Sequence, residues 1–155
     1  MNRLRRTFLR LAGTAGMVVF ALGAGLLKTG QALAAAWNKA GFEAKTVADA
    51  LKSLGAANPA ESKDIIITAP DIAENGAVVP VAVTSKIPNT QSISIIAEKN
   101  PFPLSSTFEV ANGAEGYIST RLRMGETSNV RALVRADGKF YSAVKEVKVT
   151  IGGCG

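Results

Sequence analysis

The chain has 155 residues, with 18 basic and 12 acidic side chains and a formal net charge of +6. It contains no histidine and a single cysteine, Cys154. Those absences remove Cys-His and Ser-His-Asp machinery, histidine-ligated metal sites and any disulfide within the chain.

The basic excess is local. Arg3, Arg5, Arg6, Arg10 and Lys28 all precede residue 37, where no acid occurs, so the remainder carries 13 basic against 12 acidic residues. A nearly neutral body of this kind has no electrostatic footprint for nucleic acid. Residues 1–36 have the three parts of an export signal: a basic stretch to Arg10, an apolar stretch from Leu11 to Leu27, and small residues at Ala32-Leu33-Ala34 and Ala34-Ala35-Ala36. Cleavage is expected after Ala34 or Ala36, leaving no stable membrane anchor. The pair Arg5-Arg6 followed by Thr7-Phe8-Leu9 resembles a twin-arginine signal, although Leu4 and Arg10 depart from its usual residues. Glycines at 13, 16, 23 and 25 dilute the apolar stretch, as in signals of that type. The expected location is therefore the periplasm.

From Trp37 to Leu54 the pattern is helical. Val47, Ala50, Leu51 and Leu54 fall on one face, with Glu43, Lys45, Asp49 and Lys52 on the other. Gly55 is placed to end this single amphipathic helix, and Pro59 prevents its continuation.

After Pro59 the period becomes two. Ile65-Ile66-Ile67 reads as a short strand and Asp71–Gly76 as a turn. Val79, Val81 and Val83 line one face of the next strand, in which Pro80 points to an edge or a bulge. Ile93 and Ile95 alternate with Ser92 and Ser94, and Asn100-Pro101-Phe102-Pro103 forms a rigid loop. Ile118, Thr120, Leu122 and Met124 oppose Tyr117, Ser119, Arg121 and Arg123. Asp137-Gly138 marks a hairpin before a last strand with Val147, Val149 and Ile151 on one side. Some seven short strands predict a mainly β fold, an immunoglobulin-like antiparallel β-sandwich with an N-terminal amphipathic helix. The domain spans residues 37–151. Arg121, Arg123, Arg131 and Arg135 are candidates for a shared sheet face and for contact with a partner or an anion.

Residues 152–155 read Gly-Gly-Cys-Gly. Gly152 and Gly153 have no side chain to pack, so they form a flexible arm rather than a strand end, with Gly155 beyond the thiol. In an oxidising compartment a lone thiol is either an intermolecular crosslink or a reactive group. No metal site or second reactive group accompanies it in the sequence. Nothing basic adjoins Cys154, and an ordinary thiol is only about a few per cent thiolate at neutral pH, so activation is expected from a partner.

Pro70–Gly76 with Val78-Val79-Pro80-Val81, Asn100–Pro103, Met124-Gly125-Glu126-Thr127-Ser128 and the terminal Gly152-Gly153-Cys154-Gly155 together resemble the SoxY family. The family arm commonly carries one glycine more after the cysteine. The resemblance implies a carrier subunit of the periplasmic thiosulfate-oxidising Sox system, without an active site of its own. Cys154 would be the covalent sulfur attachment site and Gly152, Gly153 and Gly155 the carrier arm. SoxZ is the implied heterodimer partner, with transient docking to SoxXA, SoxB and a sulfane-oxidising enzyme. No cofactor is implied beyond the sulfur species bound to Cys154. The residues alone also leave open an exported structural sandwich whose thiol forms an intermolecular disulfide.

Overall fold

The computed structural model describes residues 38–111 and 113–150. The expected export signal with Arg5 and Arg6, Trp37, Ile151 and the expected arm residues Gly152, Gly153, Cys154 and Gly155 lie outside the described residues.

Period-two alternation sends side chains to opposite faces of a strand, and here it divides them between two layers. The strands are β1 (Ala60–Glu61), β2 (Ile65–Thr68), β3 (Ile72–Ala73), β4 (Val79–Ser85), β5 (Thr90–Ala97), β6 (Leu104–Glu109), β7 (Tyr117–Leu122), β8 (Ser128–Ala136) and β9 (Lys139–Val149). The large sheet has the order β1-β9-β8-β5-β6, with β3 also paired to β9. The small sheet has the order β2-β4-β7. All long pairings are antiparallel, while β1 and β3 run parallel to β9.

The sheets close on one apolar core. Val79, Val81, Val83, Ile65 and Leu122 of the small sheet meet Ile93, Ile95, Val130, Val134 and Val147 of the large one. Val149 is half-buried against the same cluster. Asp137 and Gly138 both have positive φ, at 48° and 71°, as a two-residue hairpin with the twist of its strands requires. Pro80 sits opposite Arg121 of β7, whereas β2 ends with Thr68 opposite Ala82. At Pro80 the middle strand of the small sheet is therefore locally an edge, which tolerates its missing donor.

The outer face of the large sheet is not solvated like the outside of a two-layer sandwich. Ile95 and Ile96 are consecutive, yet both are fully buried. Ile95 faces the sandwich core, and Ile96 joins Leu104 and Leu133 in a second cluster beneath Ala44, Ala50, Leu51 and Ala56.

That second cluster is capped by helices, and here the expected single helix is corrected. Two short ones form, α1 (Lys39–Phe42) and α2 (Val47–Ser53). Thr46 breaks the run with an extended backbone, and its Oγ1 accepts from the Asp49 amide at 3.1 Å as an N-cap. The predicted face survives in α2, where Ala50 and Leu51 are buried. Gly55 ends α2 at φ 76°, with its amide on Lys52 O and that of Ala56 on Leu51 O. A Cβ on Gly41 would lie 2.7 Å from Ser53 Oγ and 3.1 Å from Leu104 Cδ2, so only glycine allows α1 this close.

The four arginines do not share a face. Arg121 projects from the outside of the small sheet, its neighbours in sequence, Thr120 and Leu122, facing the core side. Arg131 and Arg135 stand on the outside of the large sheet. There Arg131 Nη2 and Nε lie 2.7 and 2.8 Å from Glu98 Oε1, and Arg135 Nη2 lies 3.2 Å from Glu109 Oε2. Alternation alone could not reveal that their strands belong to different sheets.

Ile95→Ala should lower the unfolding free energy in urea titration by about 2–5 kcal/mol through lost burial and a residual cavity. Ile66→Ala, on the exposed face of the small sheet, should change it by less than about 0.5 kcal/mol.

Candidate functional site at the root of the arm

β9 is the longest strand, and its pairing with β8 ends where Ser128 meets Val147. Two devices hold the backbone beyond that point. On one side Thr127 Oγ1 accepts from the Val149 amide at 2.9 Å, carrying the ladder past the end of β8 with a side chain. On the other side β3 pairs Ile72 with Lys148 and Ala73 with Val149. The Lys148 amide donates to Asp71 O at 3.0 Å, the Thr150 amide to Ala73 O at 3.1 Å, and Thr150 Oγ1 to Glu74 O at 3.2 Å. Asp71–Gly76, expected as a plain turn, thus contributes a two-residue strand that secures the end of β9.

Its neighbours are equally tied. Asn75 Oδ1 accepts from the Ala77 amide at 2.8 Å, which shapes the turn toward β4. The Met124 amide donates to Gly76 O at 2.7 Å. Asn100 Nδ2 donates to Arg123 O at 2.7 Å, its Oδ1 accepts from the Gly125 amide, and the Lys99 amide donates to Ser128 Oγ at 3.0 Å. The three internal segments singled out in the sequence, Pro70–Gly76, Asn100–Pro103 and Met124–Ser128, therefore meet at one pole of the sandwich. It is the pole at which β9 ends.

Cys154 lies outside the described residues, but covalent geometry bounds its position. Four residues beyond Thr150 reach at most about 14 Å. A concavity of about 730 Å³ lined by Asn89, Glu115 and Asp137, among others, lies at the opposite pole, beside the hairpin that begins β9. The 11 residues of β9 separate the two poles, a distance of roughly 30 Å or more at the usual rise. A group on Cys154 therefore cannot enter that concavity.

Charges at the arm pole are mixed in sign. Lys145 Nζ lies 3.0 Å from Asp71 Oδ1, and Lys99 Nζ lies 4.0 Å from Glu126 Oε2. Among the described residues no group of three or more Cys, Asp or Glu side chains is arranged as metal ligands would be. The part played by Thr127 has no signature in periodicity or composition. It depends on β8 stopping two residues short of β9.

Fold and pole together define an immunoglobulin-like sandwich whose last described strand is fixed from both sides up to Thr150. The family profile "Sulfur oxidation protein SoxY" matches residues 50–154, and the chain belongs to that family. Among solved structures, the sulfur carrier protein SoxY from Chlorobium limicola f thiosulfatophilum is 43% identical, covering 70% of this chain and 95% of that chain with a TM-score of 0.63. A PKD domain of an M14-like peptidase from a Thermoplasmatales archaeon is 19% identical, covering 59% of this chain and 96% of that chain with a TM-score of 0.38. A comparison with curated proteins finds no match.

Thr127→Val leaves the Val149 amide without its acceptor. The expected result is hydrogen exchange at Val149 roughly fivefold faster, corresponding to about 1 kcal/mol, with recovery in Thr127→Ser.

Proposed function

We propose that this protein is a periplasmic covalent sulfur carrier that holds thiosulfate-derived intermediates on the Cys154 thiol. The observation that carries the reading is the family match, which extends to residue 154 and so includes the cysteine. It is supported by the likeness to the Chlorobium protein, itself a sulfur carrier, and by the anchoring of Thr150 just before the Gly152-Gly153-Cys154-Gly155 arm.

Loading is an oxidation. The Cys154 thiol and thiosulfate form an S–S bond, giving a cysteine S-thiosulfonate with release of one proton and two electrons, which the haem protein SoxXA accepts. Hydrolysis by SoxB adds water across the terminal S–S bond. It releases sulfate and two protons and leaves a persulfide anion on Cys154. A sulfane-oxidising enzyme then acts on that outer sulfur before further hydrolysis.

In this scheme the sandwich supplies no catalytic group. Its contribution is to hold the arm's root and so keep the bound sulfur at a high effective concentration beside each docked enzyme. Gly152, Gly153 and Gly155 keep the arm thin enough to enter a narrow active site. SoxZ is the proposed constitutive partner, in a heterodimer. Residues 1–36, with Arg5-Arg6, are proposed to direct export through the twin-arginine route, which carries folded proteins.

Intact mass of protein isolated from thiosulfate-oxidising cells should show sulfur or thiosulfonate adducts, absent from Cys154→Ala. A Cys154→Ala protein with an unchanged melting temperature and unchanged SoxZ binding is expected, since residue 154 follows the last core strand. A mass corresponding only to a disulfide-linked dimer would instead establish the crosslinking reading. Replacing Gly152 and Gly153 with Val should leave alkylation of Cys154 by maleimide unchanged while lowering enzymatic turnover at least about tenfold, because β-branched residues stiffen and thicken the arm.

A further inference from the structure

The turn that follows β3 carries a reactive dipeptide. Asn75 is exposed, and the next residue, Gly76, has no side chain to obstruct its own backbone nitrogen. In such a pair that nitrogen can close on the side-chain carbonyl carbon, Cγ of Asn75, to form a five-membered ring.

Hydrogen bonding leaves the reacting atoms free here and no other described asparagine so placed. Asn38, Asn89, Asn100 and Asn129 each commit Nδ2 to an acceptor. Asn58 and Asn100 precede Pro59 and Pro101, which have no N–H to attack with. Nδ2 of Asn75, the leaving nitrogen, has no partner among the described residues, and the Gly76 amide donates to none of them. The nucleophile therefore gives up no hydrogen bond within the described fold when it attacks. Oδ1, by contrast, accepts from the Ala77 amide at 2.8 Å, which folds the side chain back over its own main chain. That donor stands where negative charge develops as Cγ is attacked, so it acts as an oxyanion hole does.

We propose that Asn75-Gly76 is a self-modification site, at which the folded protein converts Asn75 to a mixture of aspartate and isoaspartate. The Gly76 nitrogen loses its proton and bonds Cγ, and the Cγ–Nδ2 bond breaks to release ammonia. Water then opens the resulting succinimide at either carbon–nitrogen bond. Opening at Cγ gives aspartate. Opening at the main-chain carbonyl carbon gives isoaspartate, whose backbone runs through Cγ and is longer by a methylene. Water is the only co-reactant, and nothing is oxidised or reduced. Either product sets a new carboxylate beside β3, in the stretch that secures the end of β9. Isoaspartate also displaces Gly76 O, which accepts the Met124 amide at 2.7 Å. None of this depends on what Cys154 carries.

The test follows the full-length protein in buffered heavy-oxygen water by intact mass and peptide mapping, folded and unfolded in guanidinium chloride. Asn112-Gly113-Ala114 repeats the tripeptide Asn75-Gly76-Ala77, so the unfolded chain should modify both at one rate, which calibrates the assay. In the folded protein Asn75 should convert roughly tenfold faster than in the unfolded chain, gaining a heavy oxygen at each event. Asn75→Gln should gain none at that position. Hydrogen exchange at the Met124 amide should be roughly fivefold faster in the purified isoaspartate form. A folded-state rate equal to or below the unfolded one would overturn the proposal, because the turn would then protect the pair. Heavy oxygen entering at Asn38, Asn89 or Asn129 as fast as at Asn75 would overturn it too, since the bonding around Asn75 would confer nothing. Unchanged exchange at Met124 would overturn the effect on the pole.

Discussion

The last residues of β9 are hydrogen-bonded from both sides, and that constraint gives the arm a defined origin. A terminal strand ordinarily frays, because its final amides have no partner once the neighbouring strand stops. Here β8 stops opposite Val147, and the Thr127 hydroxyl takes over the next donor on that edge. β3 takes over the other edge with bonds that reach Thr150. Without these contacts the final amides of β9 would lose their acceptors, and the point at which the strand ends would shift along it.

Rigidity at the pole depends in turn on the layers behind it. β5 is buried on both faces, with Ile93 and Ile95 in the sandwich core and Ile96 beneath α2. Ser94, on the helix side, is also buried and pairs its hydroxyl with Thr107 at 3.0 Å. A strand covered on both sides gives up little to solvent, so the loop from Ala97 to Leu104 leaves a firm base. That loop positions Asn100, which holds Arg123 and Gly125 with its side-chain amide. Packing in the middle of the molecule is thereby transmitted to the loops around the arm. The outer face of the large sheet is occupied by helices and by the Glu98–Arg131 and Glu109–Arg135 pairs.

The separation between the two poles shapes the division of labour. The concavity beside Asn89 and Asp137 is an entire β9 strand away from the arm, beyond the reach of Cys154. The chain has no histidine, and the described residues hold no metal-type cluster. Membership of the SoxY family accords with such a division, in which a carrier presents its cargo and other proteins perform the chemistry.

Much of the architecture was legible from alternation, because burying one face of a strand forces a period of two. Val79, Val81 and Val83, the Asp137-Gly138 hairpin, and the Gly55 stop could each be placed without coordinates. A lone cysteine between glycines stands out without tertiary information, and it lies outside the described residues. Periodicity carries no information, however, about which sheet a strand joins. Arg121 and Arg131 read alike in sequence yet stand on opposite sides of the sandwich. The split of the helical run at Thr46 was equally hidden, because a local cap outweighed a continuous amphipathic pattern that the second layer had no need to keep unbroken. Above all, the sequence singled out Cys154 and its glycines for the proposed arm, whereas only the tertiary structure decided how the strand before them is held. Thr127, Ala73 and Glu74 are far from the end of β9 along the chain, and their bonds to Val149 and Thr150 exist only once β3 and the start of β8 lie beside that strand.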